Sequence, residues 1–127
     1  MHVYEWGVLR VVPRVERGEF VNAGVVVYCQ ALDFLAAEIA FDEDRWRALD
    51  GGVDAPAVRG HLTAARDLCA GASSAGVNGA RPAGDRFRWL TAPRSTVLQP
   101  SPVHTGLTTD PAAQLATLFA SMVRPDR

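Results

Sequence analysis

Lysine is absent from this 127-residue sequence, and all thirteen basic residues are arginine. The chain therefore cannot form a Schiff base through a lysine amine or use lysine as a general base. Its cationic contacts must be made by guanidinium groups, which do not act as bases at neutral pH. Fourteen acidic residues nearly balance the arginines, and the net charge of −1 does not indicate a binder of nucleic acid or membranes.

Cysteine and histidine are also scarce, with two and three residues respectively. Cys29 and Cys69 lie among apolar residues with no C-x-x-C spacing, which is typical of small buried hydrophobic side chains. The sequence contains no metal-ligand spacing, no G-x-G-x-x-G pattern and no Walker A pattern. We therefore expect neither a metal nor a cofactor.

Long hydrophobic runs are missing as well. No run approaches the roughly 20 apolar residues of a membrane span, and the first residues lack the features of a signal peptide. We therefore expect a cytoplasmic protein with no membrane partner. A nucleic-acid partner is also disfavoured, because the acidic stretch Asp42-Glu43-Asp44 would interrupt an arginine face.

The residues that are present are those of a folded domain, with 48% hydrophobic and 21% charged residues. Because the length is also typical of one domain, we expect residues 1–127 to form a single domain. Three apolar runs near its start predict strands: Val3 to Val12, Phe20 to Cys29 and Asp33 to Phe41. The third run contains alanine and glutamate, so a helix is the alternative there.

Side-chain alternation assigns faces to the second run. Its odd-numbered residues from Val21 to Cys29 are apolar and share one face, whereas Asn22 and Gly24 share the opposite face. A glycine inside a strand indicates a bulge or a close approach by another group. Short connections between consecutive strands favour antiparallel pairing.

Helical periodicity begins after the third run. Asp42 or Asp44 can cap a short helix that carries Trp46. Apolar residues then recur at spacings of three and four from Val58 to Ala72, which predicts an amphipathic helix.

The second half of the chain is more irregular. Residues 71–84 are rich in glycine, alanine and serine and predict a mobile loop, and Phe87 to Leu90 and Thr96 to Gln99 predict short extended segments. Asp110 followed by Pro111 predicts the start of a last helix. Because strands precede most helices, the order favours an α+β fold: an antiparallel sheet of at least three strands with helices packed on one face.

One polar cluster precedes and enters the second strand. In a binding site, Arg17 would bind an anion, Glu19 would act as base or orienting group, and Asn22 would donate hydrogen bonds. The alternative is a charged hairpin turn in which an arginine and a glutamate form an ion pair.

A second polar stretch, Arg86 to Thr109, contains no acidic residue. Arginines, hydroxyl groups and a histidine in an acid-free segment are typical of an anion-binding or phosphate-binding surface. The alternative is a solvated loop whose arginines pair with the acidic stretch Asp42-Glu43-Asp44. The candidate ligand-binding residues of this stretch are Arg86, Arg94, Ser95, His104 and Thr105.

These same stretches resemble the hallmarks of a bacterial family, domain-of-unknown-function family 3037. The resemblance is carried by Arg10-Val11-Val12-Pro13, Arg17-Gly18-Glu19-Phe20-Val21-Asn22-Ala23-Gly24-Val25, Arg86-Phe87-Arg88-Trp89-Leu90, Ser95-Thr96-Val97-Leu98-Gln99 and Ser101-Pro102-Val103-His104-Thr105-Gly106. Ala23 stands where the family often has valine. The resemblance implies a small cytoplasmic bacterial protein without an established activity. Members are often encoded beside a HipA-type kinase-like protein, which the resemblance therefore implies as a partner.

Two functions follow as expectations. The first is a non-catalytic accessory or partner-binding module that acts with a HipA-type kinase-like protein. The alternative is an enzyme, or a nucleotide- or phosphate-binding domain, in which the two polar clusters converge on a phosphate-containing ligand. In that case Glu19 and His104 would be the catalytic candidates and would have to lie within hydrogen-bond or one-water reach of shared reacting atoms.

Overall fold

The computed structural model describes residues 1–49, 55–94 and 96–124. Its strands are β1 (His2–Val11), β2 (Val21–Cys29), β3 (Phe34–Ile39), β4 (Leu98–Pro100) and β5 (His104–Thr108). Its α-helices are α1 (Glu43–Ala48), α2 (Ala55–Ala70), α3 (Ala83–Thr91) and α4 (Pro111–Met122). Short 3-10 segments cover Val15–Arg17, Gln30–Leu32 and Ser73–Ala80.

The five strands form one sheet in which all the pairs are antiparallel. The order β3-β2-β1-β4 places β1 and β2 at the centre. The strand β5 pairs with the first half of β1 and β4 pairs with its second half, so these two short strands share one edge. The predicted antiparallel sheet is confirmed. The helical alternative for the third apolar run is wrong, because this run pairs with β2 as β3.

A β-bulge divides the central strand pair. Leu9 lies opposite Gly24, but Arg10 lies opposite Asn22, so Ala23 is an extra residue on β2. One extra residue reverses the faces of the residues on either side of it. The prediction that Asn22 and Gly24 share a face is therefore wrong.

Both faces of the sheet carry helices. On one face, Val26 packs with residues of α2 and α3, including Phe87. On the other, Val25 and Val27 pack with Leu115 and Phe119 of α4. The α+β class is confirmed, but the helices lie on both faces rather than one, because successive valines of β2 point to opposite sides and all are buried.

Beyond the bulge, the end of β2 joins a different part of the core. Val21 packs with Trp46 of α1 and with Val58 and Leu62 of α2, rather than with α4. The odd-numbered apolar residues of β2 therefore do not all share one face as predicted. The bulge divides them between two helical layers.

The predicted short helix and last helix are confirmed together with their caps. The carboxylate of Asp42 accepts hydrogen bonds from the backbone N–H groups of Asp44 and Arg45 at 3.1 and 3.2 Å, so Asp42 is the N-cap of α1. The carboxylate of Asp110 accepts from Ala113 N at 3.1 Å, and Pro111 begins α4. These caps satisfy N–H groups that have no partner within the helix.

The stretch between α2 and β5 departs most from the sequence predictions. Phe87 to Leu90 is not extended but lies in α3, where both residues are buried one turn apart. Within residues 71–84, Ser73–Ala80 forms 3-10 turns, and Ala83 begins α3; the mobility of this stretch remains a prediction. The extended prediction for Thr96 to Gln99 corresponds in part to β4, whereas β5 was not predicted.

We predict that Gly24→Ala destabilises the protein. An added Cβ would lie 2.9 Å from the carbonyl oxygen of Glu38 and 3.1 Å from Cγ2 of Ile39, and the sheet backbone cannot easily move away. Overpacking of this kind costs about 1–3 kcal/mol in the free energy of unfolding, measured by chemical denaturation.

The matched control is Gly60→Ala in α2, where nothing lies within 4 Å. There we expect a gain of up to about 1 kcal/mol from helix propensity. Equal effects of both substitutions would contradict the close approach at Gly24.

We predict that Cys69 makes the protein less stable at alkaline pH. Both cysteines are free and buried, and burial raises the pKa of the Cys69 thiol from 9.0 to about 12, although the nearby Arg86 charge opposes this. Above pH 9 the unfolded chain releases a proton that the folded chain retains, so the free energy of unfolding falls as the pH rises. We expect wild type to lose about 1.4 kcal/mol per pH unit relative to Cys69→Ala between about pH 9.5 and 11. Denaturant titrations at several pH values measure this, and a constant difference between the two proteins would contradict it.

Candidate functional site

The first polar cluster forms a charged turn. Arg17 lies in the 3-10 segment Val15–Arg17, and its Nε is 2.9 Å from Oε1 of Glu19. The two side chains are 53% and 40% exposed, and an ion pair at this exposure contributes little to stability. Gly18 follows with a φ of 69°, a left-handed conformation that favours glycine. The arginine and glutamate therefore contact each other, as the alternative reading of this cluster predicts.

Asn22 does not lie with this pair. Its Nδ2 donates to the backbone oxygen of Met122 at 3.0 Å, at the end of α4. Across the strand pair lies Arg10, whose guanidinium stands 4.2 Å from the centre of the Phe20 ring. The buried Nε of Arg10 and Oδ1 of Asn22 have no hydrogen-bond partner within the described residues. Arg10 is not among the binding residues predicted from the sequence, because strict alternation cannot reveal the bulge that places it opposite Asn22.

The arginines of the second polar stretch have separate partners. Nη1 of Arg86 donates to the oxygens of Leu68 and Cys69 at 2.8 and 2.7 Å, and its Nε donates to the oxygen of Arg81 at 2.8 Å. These bonds satisfy carbonyl groups at the end of α2. Arg88 instead forms a two-point ion pair with Glu5 of β1, at 2.6 and 2.8 Å, and this hydrogen bonding raises the pKa of Arg88.

The acidic stretch is occupied by other arginines. Glu43 forms ion pairs with Arg47 and Arg59, and Asp44 forms one with Arg47. Arg86 and Arg88 therefore do not pair with the acidic stretch, contrary to the alternative interpretation of the segment Arg86 to Thr109.

The remaining candidates of the second stretch lie on or near the edge strand. His104 is exposed on β5, and its ring centre is 4.7 Å from that of Trp6. Thr105 is exposed and lies opposite Glu5. Ser95 lies outside the described residues.

Glu19 and His104 lie beside different parts of β1. His104 lies opposite Trp6, whereas Glu19 precedes Val21, which lies opposite Val11. Val11 lies five residues after Trp6, which is a distance of about 16 Å along the strand. The structure therefore does not bring these two candidate proton-transfer groups to one set of reacting atoms.

Arg94 lies at a cleft of about 610 Å³ between α2, the Ser73–Ala80 turns, α3 and β4. Its guanidinium is 4.6 Å from the centre of the Trp89 ring and donates to the backbone oxygens of Trp89 and Ala92. Trp89 is 57% exposed. Trp89 is not among the binding residues predicted from the sequence, because its exposure becomes visible only in the fold.

A second exposed feature lies at the free end of the sheet. Val3 of β1 and Leu107 of β5 are cross-strand partners and are 60% and 59% exposed. Since Tyr4 packs with α4, Val3 points to the other face of the sheet. Glu5 and Thr105 form the next pair on that face, where Arg88 of α3 binds Glu5. We call Val3, Thr105 and Leu107 the β1–β5 patch.

Within residues 1–49, 55–94 and 96–124, no group of three or more histidine, cysteine, aspartate or glutamate side chains could hold a metal ion. No helix in that part of the chain has both the length and the apolar character to cross a bilayer.

Comparison with known proteins identifies a family but no characterised relative. No curated protein and no solved structure matches the chain. A family model described as "Protein of unknown function (DUF3037)" matches residues 6–123, which is nearly the whole chain. The charged turn, the bulge, the cleft and β5 lie within the region that the model matches, whereas Val3 of the β1–β5 patch precedes it. The chain belongs to this family of proteins of unknown function.

Proposed function

We propose that this chain is a non-catalytic accessory module that binds a protein partner through the β1–β5 patch. The observation that carries this proposal is the exposed cross-strand pair Val3 and Leu107. Full burial of a valine or leucine side chain contributes about 1.5–3 kcal/mol, and more than half of each of these residues is still available to a partner. Adjacent exposed apolar side chains on a sheet are typical of an interaction surface.

The position of the patch at a sheet edge supports this use. In the part of the chain that the structure describes, β5 pairs with β1 alone, so its outer backbone groups face away from the sheet. An edge strand offers these groups to an added strand or loop. Thr105, which is exposed, adds a hydroxyl group beside the apolar pair on the same face of the sheet.

The arrangement of the polar residues favours a binding role over catalysis. Glu19 is engaged by Arg17 at 2.9 Å, and the ring of His104 lies beside that of Trp6 in the middle of β1. General acid–base catalysis by two groups requires both within reach of the same reacting atoms. These two residues do not meet that requirement.

The partner that we propose is a HipA-type kinase-like protein, in a bacterial cytoplasm. This part of the proposal rests on the family, whose members are often encoded beside such a protein. The β1–β5 patch supplies the surface, since it combines apolar side chains with an unpaired strand edge.

The second candidate function is an enzyme, or a nucleotide- or phosphate-binding domain, that uses an Arg/Glu/His site. Its strongest support is Arg94, because a guanidinium at a cleft suits an anionic group. The dispersal of Arg17, Arg86 and His104 over three parts of the fold weakens it. A phosphate-containing ligand would therefore meet Arg94 rather than a shared site.

We predict that Leu107→Asp and Val3→Asp each weaken binding to the purified HipA-type kinase-like protein about tenfold or more. Each change replaces a buried apolar contact in the complex by a charge. Isothermal titration calorimetry measures the affinity, and native mass spectrometry measures the stoichiometry. Thermal unfolding of the free variants establishes that they are folded.

The matched control is Val15→Asp, which introduces the same charge at another exposed valine. Val15 is 46% exposed and lies in the 3-10 segment that follows the far end of β1. We expect this variant to bind like wild type. Equal weakening by all three variants would argue against the patch. A wild-type chain that remains unbound beside the kinase-like protein would contradict the proposed partner.

A further inference from the structure

We propose that the cleft at Arg94 binds a small amphiphilic acid, a molecule with an apolar planar body and one carboxylate or phosphate head group. None of its lining residues belongs to the β1–β5 patch, so this site is additional to the proposed partner surface. The volume of about 610 Å³ lies within the range of about 300–1,000 Å³ that small-molecule sites occupy.

The inner wall of the cleft is apolar and already ordered. Leu9 of β1, Leu68 of α2 and Leu90 of α3 are each less than a tenth exposed and line it. Their positions are determined by the core, because all three belong to the cluster that packs α2 and α3 on the sheet. A preformed apolar wall binds an apolar body without an ordering cost in the protein.

Trp89 supplies a flat wall at the mouth of the cleft. Phe87 and Leu90 of α3 are buried in the core, and Trp89, which lies between them in the sequence, is exposed and lines the cleft. With 57% of its surface exposed, the ring can stack on a planar body. Aromatic stacking of this kind adds about 0.5–1.5 kcal/mol beyond area burial, or roughly a threefold to tenfold change in affinity.

The charges at the cleft select an anion. The fifteen lining residues include Arg94 and His61 but no aspartate or glutamate. Two donors of Arg94 are held by the backbone oxygens of Trp89 and Ala92, which orients the guanidinium, and its Nη1 has no acceptor among the described residues. The other polar lining side chains are the neutral Ser74, Asn78 and Thr96. An oriented guanidinium in an acid-free cleft matches a carboxylate or phosphate.

The test uses three probes that share one body: 2-naphthoate, 2-naphthyl phosphate and the uncharged 2-naphthol. We expect wild type to bind at least one of the two acids about tenfold or more tightly than 2-naphthol, measured by isothermal titration calorimetry. The comparison between the two acids distinguishes a carboxylate head from a phosphate head. Equal affinity for all three probes, or no binding of either acid, would overturn the proposal.

Variants assign the contacts. Arg94→Gln should weaken acid binding about tenfold and leave 2-naphthol unchanged, Arg94→Lys should restore part of the acid affinity, and Trp89→Ala should weaken all three probes. The control Arg66→Gln changes an exposed arginine of α2 that does not line the cleft and should bind like wild type. If Arg94→Gln and Arg66→Gln behave alike, the head-group contact is refuted.

Two further outcomes identify other occupants. If Trp89→Ala abolishes a concentration-dependent dimer in sedimentation analysis, a second copy fills the cleft and the proposal is wrong. If Trp89→Ala or Arg94→Gln abolishes binding of the kinase-like protein, the cleft serves the protein partner instead. If Leu107→Asp no longer binds the kinase-like protein but still binds the probes like wild type, the β1–β5 patch and the cleft are separate sites.

Discussion

The extra residue in β2 at Ala23 is the constraint on which the rest of the sheet depends. Because side chains alternate along a strand, this one insertion sends Val21 to the layer of α1 and α2, whereas Val25 and Val27 face α4. This one strand of nine residues thereby buries side chains against all four α-helices. The bulge also turns Asn22 toward the end of α4, where its amide holds a helix carbonyl.

Close packing around the bulge explains why small residues lie there. Gly24 follows Ala23, and its Cα lies where a side chain would meet the carbonyl oxygen of Glu38. The sheet is therefore closely packed where its faces change partners. The close approach of β3 explains why residue 24 is a glycine. A binding role for the segment from Arg17 to Gly24 is not needed to explain it.

Arginine contributes to the tertiary structure in ways that lysine could not. Arg86 spans the carbonyl groups at the end of α2 and that of Arg81, and Arg88 binds both oxygens of Glu5. A planar guanidinium has five donors in fixed directions, whereas an ammonium group has no such geometry. Arg94 uses part of this capacity to hold the end of α3 and presents the rest at the cleft. The acid-free stretch from Arg86 to Thr109 is therefore partly a set of structural contacts and partly the wall of a site.

Local signals in the sequence determined β1 to β3, the capped helices α1 and α4, and the amphipathic helix α2. Apolar periodicity and carboxylate caps act within a few residues, so they can be read before the chain folds. The same reasoning misassigned α3, whose spacing of Phe87 and Leu90 over one turn is too short a pattern to distinguish helix from strand. Only the tertiary structure decided the bulge, the pairing of β5 with β1, and the separation of Glu19 from His104. Each of these depends on residues far apart in the chain that meet only when the strands align, which is also why Trp89 and Arg94 became visible as one site only in the fold.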